Sequence, residues 1–216
     1  FKEKLRLEVF NINKNIEGKN SATVTNSTLS ASGKGNRNNV DNCGVMIYQS
    51  MSGDAGEGTG TFTAKDSTLK IDSDSEYYSS APFFFITNTN AVINLENNNI
   101  EYGSNILLKA AATTEWGKTG SNGGVVTLNA SNQKLVGNIE IDKISEAQIN
   151  LKNSSSWEGK INSDNIAKSA SLSLDSSSKI KLTGDSYLTT FEYEDSSFNN
   201  IDFNGYMIYV NGEAIK

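Results

Sequence analysis

Three stretches of the chain, VVTLNASNQKLVGNIEID at 125–142, QINLKNSSSWEGKINSD at 148–164 and SLSLDSSSKIKLTGDSY at 171–187, align almost without adjustment. Their apolar pair Val126 and Leu128 matches Ile149 and Leu151, then Leu172 and Leu174, a step of 23 residues each time. Within each pair the residues stand at i and i+2, which puts both side chains on one face of an extended strand. A second apolar position follows a short polar turn, at Leu135, Trp157 and Ile180, and then a glycine, at Gly137, Gly159 and Gly184. Strand, polar turn, strand, glycine bend and strand make one winding of a solenoid. The repeat therefore predicts an all-β chain folded as a right-handed parallel β-helix.

Looser copies extend the pattern toward the N-terminus. They are SATVTNSTLSASG (Ala22, Val24, Leu29), GTFTAKDSTLKID (Phe62, Leu69, Ile71) and AVINLENNNIEYG (Ile93, Leu95, Ile100). With a terminal winding, FNNIDFNGYMIYV, that places Ile201 and Phe203 inward, about seven coils are expected in one domain over 1–216. Residues 1–20 would form an N-terminal lead-in strand or cap, 21–204 the coils and 205–216 a C-terminal capping hairpin turning at Asn211-Gly212. Asn26, Asn97 and Asn153 each fall two places after an inward residue, where Asn tolerates the left-handed conformation, and an asparagine ladder is expected there. An antiparallel β-sandwich is the rival fold, but it predicts hairpin spacings of about 8–12 residues and no recurring longer step.

Composition agrees with this reading and removes several functions. Ser, Thr, Asn and Gly supply 90 of the 216 residues, which disfavours helices through local hydrogen bonding and backbone entropy. The absence of histidine excludes a Ser-His-Asp triad and a histidine metal site, and one cysteine, Cys43, excludes an intrachain disulfide. Net charge is −6, with 17 dispersed lysines and only Arg6 and Arg37 as arginines, so no broad basic face for nucleic acid is expected. The longest apolar run, 81–86, is far short of a membrane span. The sequence opens at Phe1 without an initiator or signal-peptide pattern, and is read as a mature or trimmed fragment.

Two glycine-rich insertions, CGVMIYQSMSGDAGEGTG at 43–60 and LLKAAATTEWGKTGSNGG at 107–124, break the period, and function tends to gather on such loops. Sugar binding needs exposed rings, since aromatic faces stack on pyranoses while polar groups take the hydroxyls. Trp116, between polar residues and glycine, is the first candidate ligand-binding residue, followed by Tyr77 and Tyr78. Trp157 falls in the column of Leu135 and Ile180 and is assigned to the core. No cofactor is required, but Asp72, Asp74 and Glu76 alternate so that an extended backbone would aim three carboxylates one way, as calcium binding asks. Lys152 or Lys181 beside Asp175 is a weaker pairing that a polysaccharide-cleaving enzyme would need.

The segments GVMIYQSMSGDA from Gly44, FFITNTNAVINLEN from Phe84, TEWGKTGSNGGVVTLNASNQ from Thr114, KLTGDSYLTTF from Lys181 and YVNG from Tyr209 carry a resemblance. From about residue 17 onward the chain resembles secreted, adhesin-like, carbohydrate-binding-domain proteins of Firmicutes and related gut bacteria. The resemblance implies an extracellular or cell-surface β-helix whose partner is a polysaccharide or host surface glycan. It supplies no catalytic residues. The expected function is a non-catalytic adhesin-like domain that binds carbohydrate or an extracellular surface through loops. A polysaccharide lyase or glycoside hydrolase acting on an acidic polysaccharide is the alternative, and a passive structural stalk the third.

Overall fold

The computed structural model describes residues 6–8, 14–32, 42–50, 52–53, 55–72 and 75–215. The chain is all-β and its sheets are parallel. One seven-stranded sheet holds Ser21–Thr25, Thr59–Lys65, Thr89–Glu96, Gly124–Ser131, Glu146–Lys152, Ser169–Leu174 and Thr190–Tyr193, paired in chain order. A four-stranded sheet joins Arg6–Glu8, Thr28–Ala31, Thr68–Ile71 and Asn99–Glu101; a second joins Lys134–Val136, Ser156–Gly159, Lys179–Leu182 and Ile201–Asp202. A five-stranded sheet takes Lys14–Glu17, Val45–Tyr48, Phe84–Thr87, Ile106–Ala110 and Asn138–Ile141. Ser186–Leu188, Ile208–Val210 and Glu213–Ala214 make a three-stranded sheet, whose last pair is antiparallel and turns at Asn211 and Gly212. No helix among the described residues is long and apolar enough to cross a membrane.

Alternation builds the core. Strands of the seven-stranded sheet read buried at every second residue, as in Glu146–Lys152, where Ala147, Ile149 and Leu151 are buried. Parallel pairing in register sets like over like, Phe62 on Ile93 on Leu128 on Ile149 on Leu172, so each layer covers its neighbour's apolar face. Trp157 is buried in the column of Leu135 and Ile180, as expected, and its indole N–H donates to the Gly137 carbonyl at 2.9 Å.

The register departs from the expected step. Leu128 and Ala130, not Val126 and Leu128, lie on Ile149 and Leu151, so the first step is 21 residues, while Ile149 to Leu172 keeps 23. Two corners account for the slip. One turn uses a single left-handed residue, Asn132, where the next uses Asn153 and Ser154 in succession. The other is shorter between Ile139 and Ala147 than between Ile161 and Ala170. Two omissions preserve parity, and inward residues stay inward. The glycine column also fails at its third member, because Gly159 pairs with Leu182, and Gly184 falls outside the register.

Asn26, Asn97 and Asn153 do have positive φ, at 50°, 52° and 55°. Asn97 donates to Asp66 at 2.7 Å and Asn153 to Ser131 at 2.9 Å. The continuous ladder, however, lies just inside these residues. Ser27 N donates to Ser67 Oγ, Ser67 N to Asn98 Oδ1, Asn98 N to Gln133 Oε1, Gln133 N to Ser155 Oγ and Ser155 N to Ser178 Oγ, all at 2.8–3.2 Å. Beneath it, Asp175 accepts from Asn153 N, Ser177 N and Ser178 N. Burial pushes this carboxyl up, but hydrogen bonds from Ser178, Asn153 and Ser177 outweigh that and hold it below its ordinary value.

Replacing Leu151 by Asp should cost about 3–5 kcal/mol through a buried, unpaired charge, and Lys152→Ala within about 0.5 kcal/mol; equal losses in denaturant melts would refute the alternation. A carboxyl held low in the fold stabilises above its unfolded value and loses that contribution as pH falls through the folded one. Asp175→Asn should therefore be less stable than the parent at neutral pH, with the gap closing below about pH 4 in acid titrations followed by circular dichroism. A constant gap would deny the carboxylate this role.

Candidate functional site

Both long insertions leave the five-stranded sheet and return to the seven-stranded sheet, so they project from the same corner of the stack. Residues 49–58 connect Tyr48 to Thr59, and residues 111–123 connect Ala110 to Gly124. In the layer between them the same corner is one residue, Asn88, at φ 52°. Long, short, long leaves a gap. The resulting cleft, about 440 Å³, is lined by Gln49, Glu57 and Gly58 on one side, Asn88, Thr89 and Asn90 on its floor, and Gly117, Lys118 and Ser121 on the other. Val125, 38% exposed, adds an apolar surface at its edge.

Specific contacts fix both walls. Asn88 Nδ2 donates to the Gln49 carbonyl at 2.7 Å and Asn88 N to the Asn122 carbonyl at 3.1 Å. Asn122 Nδ2 in turn ties the second insertion to itself through the Thr113 and Trp116 carbonyls, at 2.7 and 2.8 Å. Thr89 Oγ1 donates to the Gly58 carbonyl at 3.3 Å, and Ser50 and Tyr48 converge on the Glu17 carboxylate. Gly117, at φ +76°, lies so close to the floor that a Cβ would stand 2.2 Å from Asn88 Oδ1 and 2.6 Å from Asn122 Cβ. Gln49 is 8% exposed, and among the described residues its buried Oε1 has no hydrogen-bond partner.

Trp116, expected as a stacking ring, is turned inward. It is 9% exposed and packs on Tyr48, with ring centroids 4.5 Å apart, in an outer apolar cluster with Cys43, Met46, Phe85 and Ala111. The insertion exposes apolar residues of the sheet beneath it, and an indole covers them better than any other side chain in that loop. Cys43 packs there as a small hydrophobe. Tyr78 is also buried, 4% exposed, and burial together with the neighbouring Cys43 pushes its phenol up to about 12. Tyr77 is 43% exposed, but it belongs to the Glu76–Tyr78 turn and not to the cleft lining. Of the calcium candidates, Asp74 lies outside the described residues, and the chain is no longer extended at Glu76, which opens a 3₁₀ turn. Among the described residues no three His, Cys, Asp or Glu side chains gather to hold a metal ion.

A second groove, about 380 Å³, lies on the outer face of the five-stranded sheet, and Lys109, Glu140, Asp142, Lys160 and Asp164 line it. Asp142 is occupied, its two oxygens accepting from Ala112 N at 2.7 Å and Ile144 N at 3.1 Å. The pairing of Asp175 with Lys152 or Lys181 does not form: Asp175 serves its corner, and Lys181 pairs with Glu158 at 3.1 Å. Comparison with protein-family models, curated proteins and solved structures finds no match for the chain.

Gly117→Ala should destabilise the protein more than Gly120→Ala, because both residues have positive φ, 76° and 87°, but only Gly117 meets neighbours within 4 Å. Differential scanning calorimetry reads the difference, and equal shifts would mean that the second insertion is not seated on Asn88.

Proposed function

We propose that this chain is a right-handed parallel β-helix of about seven coils with a C-terminal capping hairpin, akin to secreted adhesin-like proteins. It serves as a non-catalytic extracellular or cell-surface domain that binds carbohydrate. The carrying observation is the cleft that two glycine-rich insertions share, with a floor of Asn88, Thr89 and Asn90. Amide and hydroxyl groups both donate and accept, which suits a ligand made of hydroxyls, and the exposed Val125 offers an apolar patch for the carbon face of a ring. Parallel strands in register and the antiparallel Tyr209–Ala214 pairing support the solenoid reading.

A glycan array identifies the bound sugar, and titration calorimetry then compares variants. Asn90→Ala and Val125→Asp should each weaken binding about tenfold or more without lowering the melting temperature. Wild-type silence across the array, or unchanged affinity in both variants, would remove the carbohydrate role from the cleft. A polysaccharide-active enzyme is the second reading, favoured by the lysines and carboxylates in the groove on the five-stranded sheet. That reading requires release of reducing or unsaturated ends from a polysaccharide, abolished by Glu140→Gln; no such release from any polymer tested would eliminate it.

A further inference from the structure

The seven-stranded sheet ends at Thr190–Tyr193, which pairs with Ser169–Leu174 on one side and, among the described residues, with no strand on the other. The antiparallel Glu213–Ala214 covers the last parallel strand of the three-stranded sheet, and the second four-stranded sheet ends in only two residues, Ile201–Asp202. Thr190–Tyr193 is thus the longest strand left with an open edge at this end of the stack. In a parallel strand the N–H and C=O groups of alternate residues point to opposite sides, so this edge carries donors and acceptors without a ladder.

The inward apolar columns are cut off at the same place. Phe191 and Tyr193 stand over Leu172 and Leu174, which are 2% and 1% exposed, yet Tyr193 is 40% exposed and Phe191 only half-buried. Tyr193 packs on Phe191 and Phe198, with ring centroids 4.9 and 4.7 Å away, and Phe198 lies 6.3 Å from Phe203. A row of rings crosses the end where another layer would lie.

Charge decides what this edge accepts. Residues 182–215 hold six carboxylates, Asp185, Glu192, Glu194, Asp195, Asp202 and Glu213, and no lysine or arginine. The other 19 of the 25 acidic residues balance the 19 basic ones, so the whole net charge of −6 resides in this stretch. Glu192 stands exposed on the edge strand itself. Two copies joined edge to edge at this end would bring like charges together, whereas a cationic strand is drawn to it.

We propose that the C-terminal end of the stack docks an extended, basic segment of a partner polypeptide. The segment adds to the seven-stranded sheet as one further strand beside Thr190–Tyr193, with alternate apolar residues on Phe191 and Tyr193 and its cations beside Glu192. This surface is separate from the cleft and does not rest on the carbohydrate reading.

Titration calorimetry at low ionic strength with the peptide acetyl-(Lys-Val)4-amide tests this. The peptide should bind, and acetyl-(Glu-Val)4-amide should not. A (Lys-Val)4 peptide N-methylated at every residue keeps its charge but loses its backbone donors, and its affinity should fall about tenfold or more. Glu192→Lys should weaken the parent peptide about threefold or more at an unchanged melting temperature. Glu115→Lys, the same charge change on the second insertion, should leave it unaltered. Failure of (Lys-Val)4 to bind, equal affinity of the N-methylated peptide, or equal losses in the two variants would overturn the assignment. Sedimentation of the protein alone should show a monomer; an oligomer that Glu192→Lys dissolves would give the edge to a second copy and overturn it equally.

Discussion

The corners of this chain are tied from one layer to the next. From Ser67 through Ser178 the residues just inside the turns from the seven-stranded sheet to the four-stranded sheets are buried and polar, and each bonds to the layer beside it, while Ser178 N also donates to Asp175 of its own corner. An orphaned group there would cost about 1–3 kcal/mol, so register is enforced at every step of the stack and not merely favoured. The clearest case is the gap between the two four-stranded sheets, where Asn99–Glu101 and Lys134–Val136 do not pair. Gln133 spans it with both ends of its amide, accepting from Asn98 N at 2.8 Å and donating to the Asn98 carbonyl at 2.8 Å. Serine, too short for that reach, suffices at the tighter steps through Ser155 and Ser178.

A scaffold fixed in this way tolerates irregular loops, and the cleft is a product of their placement. Two insertions flank a layer whose corner is a single Asn88, so the intervening floor stays open while the walls rise on both sides. The walls hold their position because the outward face beneath them is apolar where the loops cross. Met46, Tyr48, Phe85 and Trp116 form a small second core outside the main one. Ordering a loop of this composition costs conformational entropy, and burial of an indole together with the Asn122 and Asn88 hydrogen bonds offsets it.

Strand alternation was legible because parallel stacking repeats a local pattern: Ile149, Leu151, Leu172 and Leu174 announce their facing by themselves. Register between layers was less so. Moving Leu128 onto Ile149 changes no residue's facing, so the apolar pattern cannot distinguish a step of 21 from one of 23. The difference resides in two corners, Asn132 against Asn153 and Ser154, and Ile139–Ala147 against Ile161–Ala170, whose lengths the apolar alternation does not mark. Asn97 and Asn98 illustrate the same limit, since adjacent identical residues share the roles of left-handed corner and buried ladder rung. The inward turn of Trp116 is illegible for another reason: its polar sequence neighbours say nothing of Tyr48, 68 residues earlier, on which it rests. The contrast in corner lengths around Asn88 is the signal for the cleft that the sequence carries, since both insertions break its period.

Disulfide trapping on the outward side of the seven-stranded sheet tests the stacking most directly. Thr127 faces Gln148 across neighbouring strands, whereas an uninterrupted step of 23 would bring it to Asn150. Adjacent Cα atoms in a sheet lie within disulfide range and diagonal ones fall beyond the roughly 7 Å limit, while the native Cys43 is buried and does not compete. Mild oxidation should close the bridge in Thr127→Cys, Gln148→Cys and leave Thr127→Cys, Asn150→Cys reduced. A bridge that forms readily in the second pair and not the first would contradict the register, and with it the corner ladder on which the structure depends.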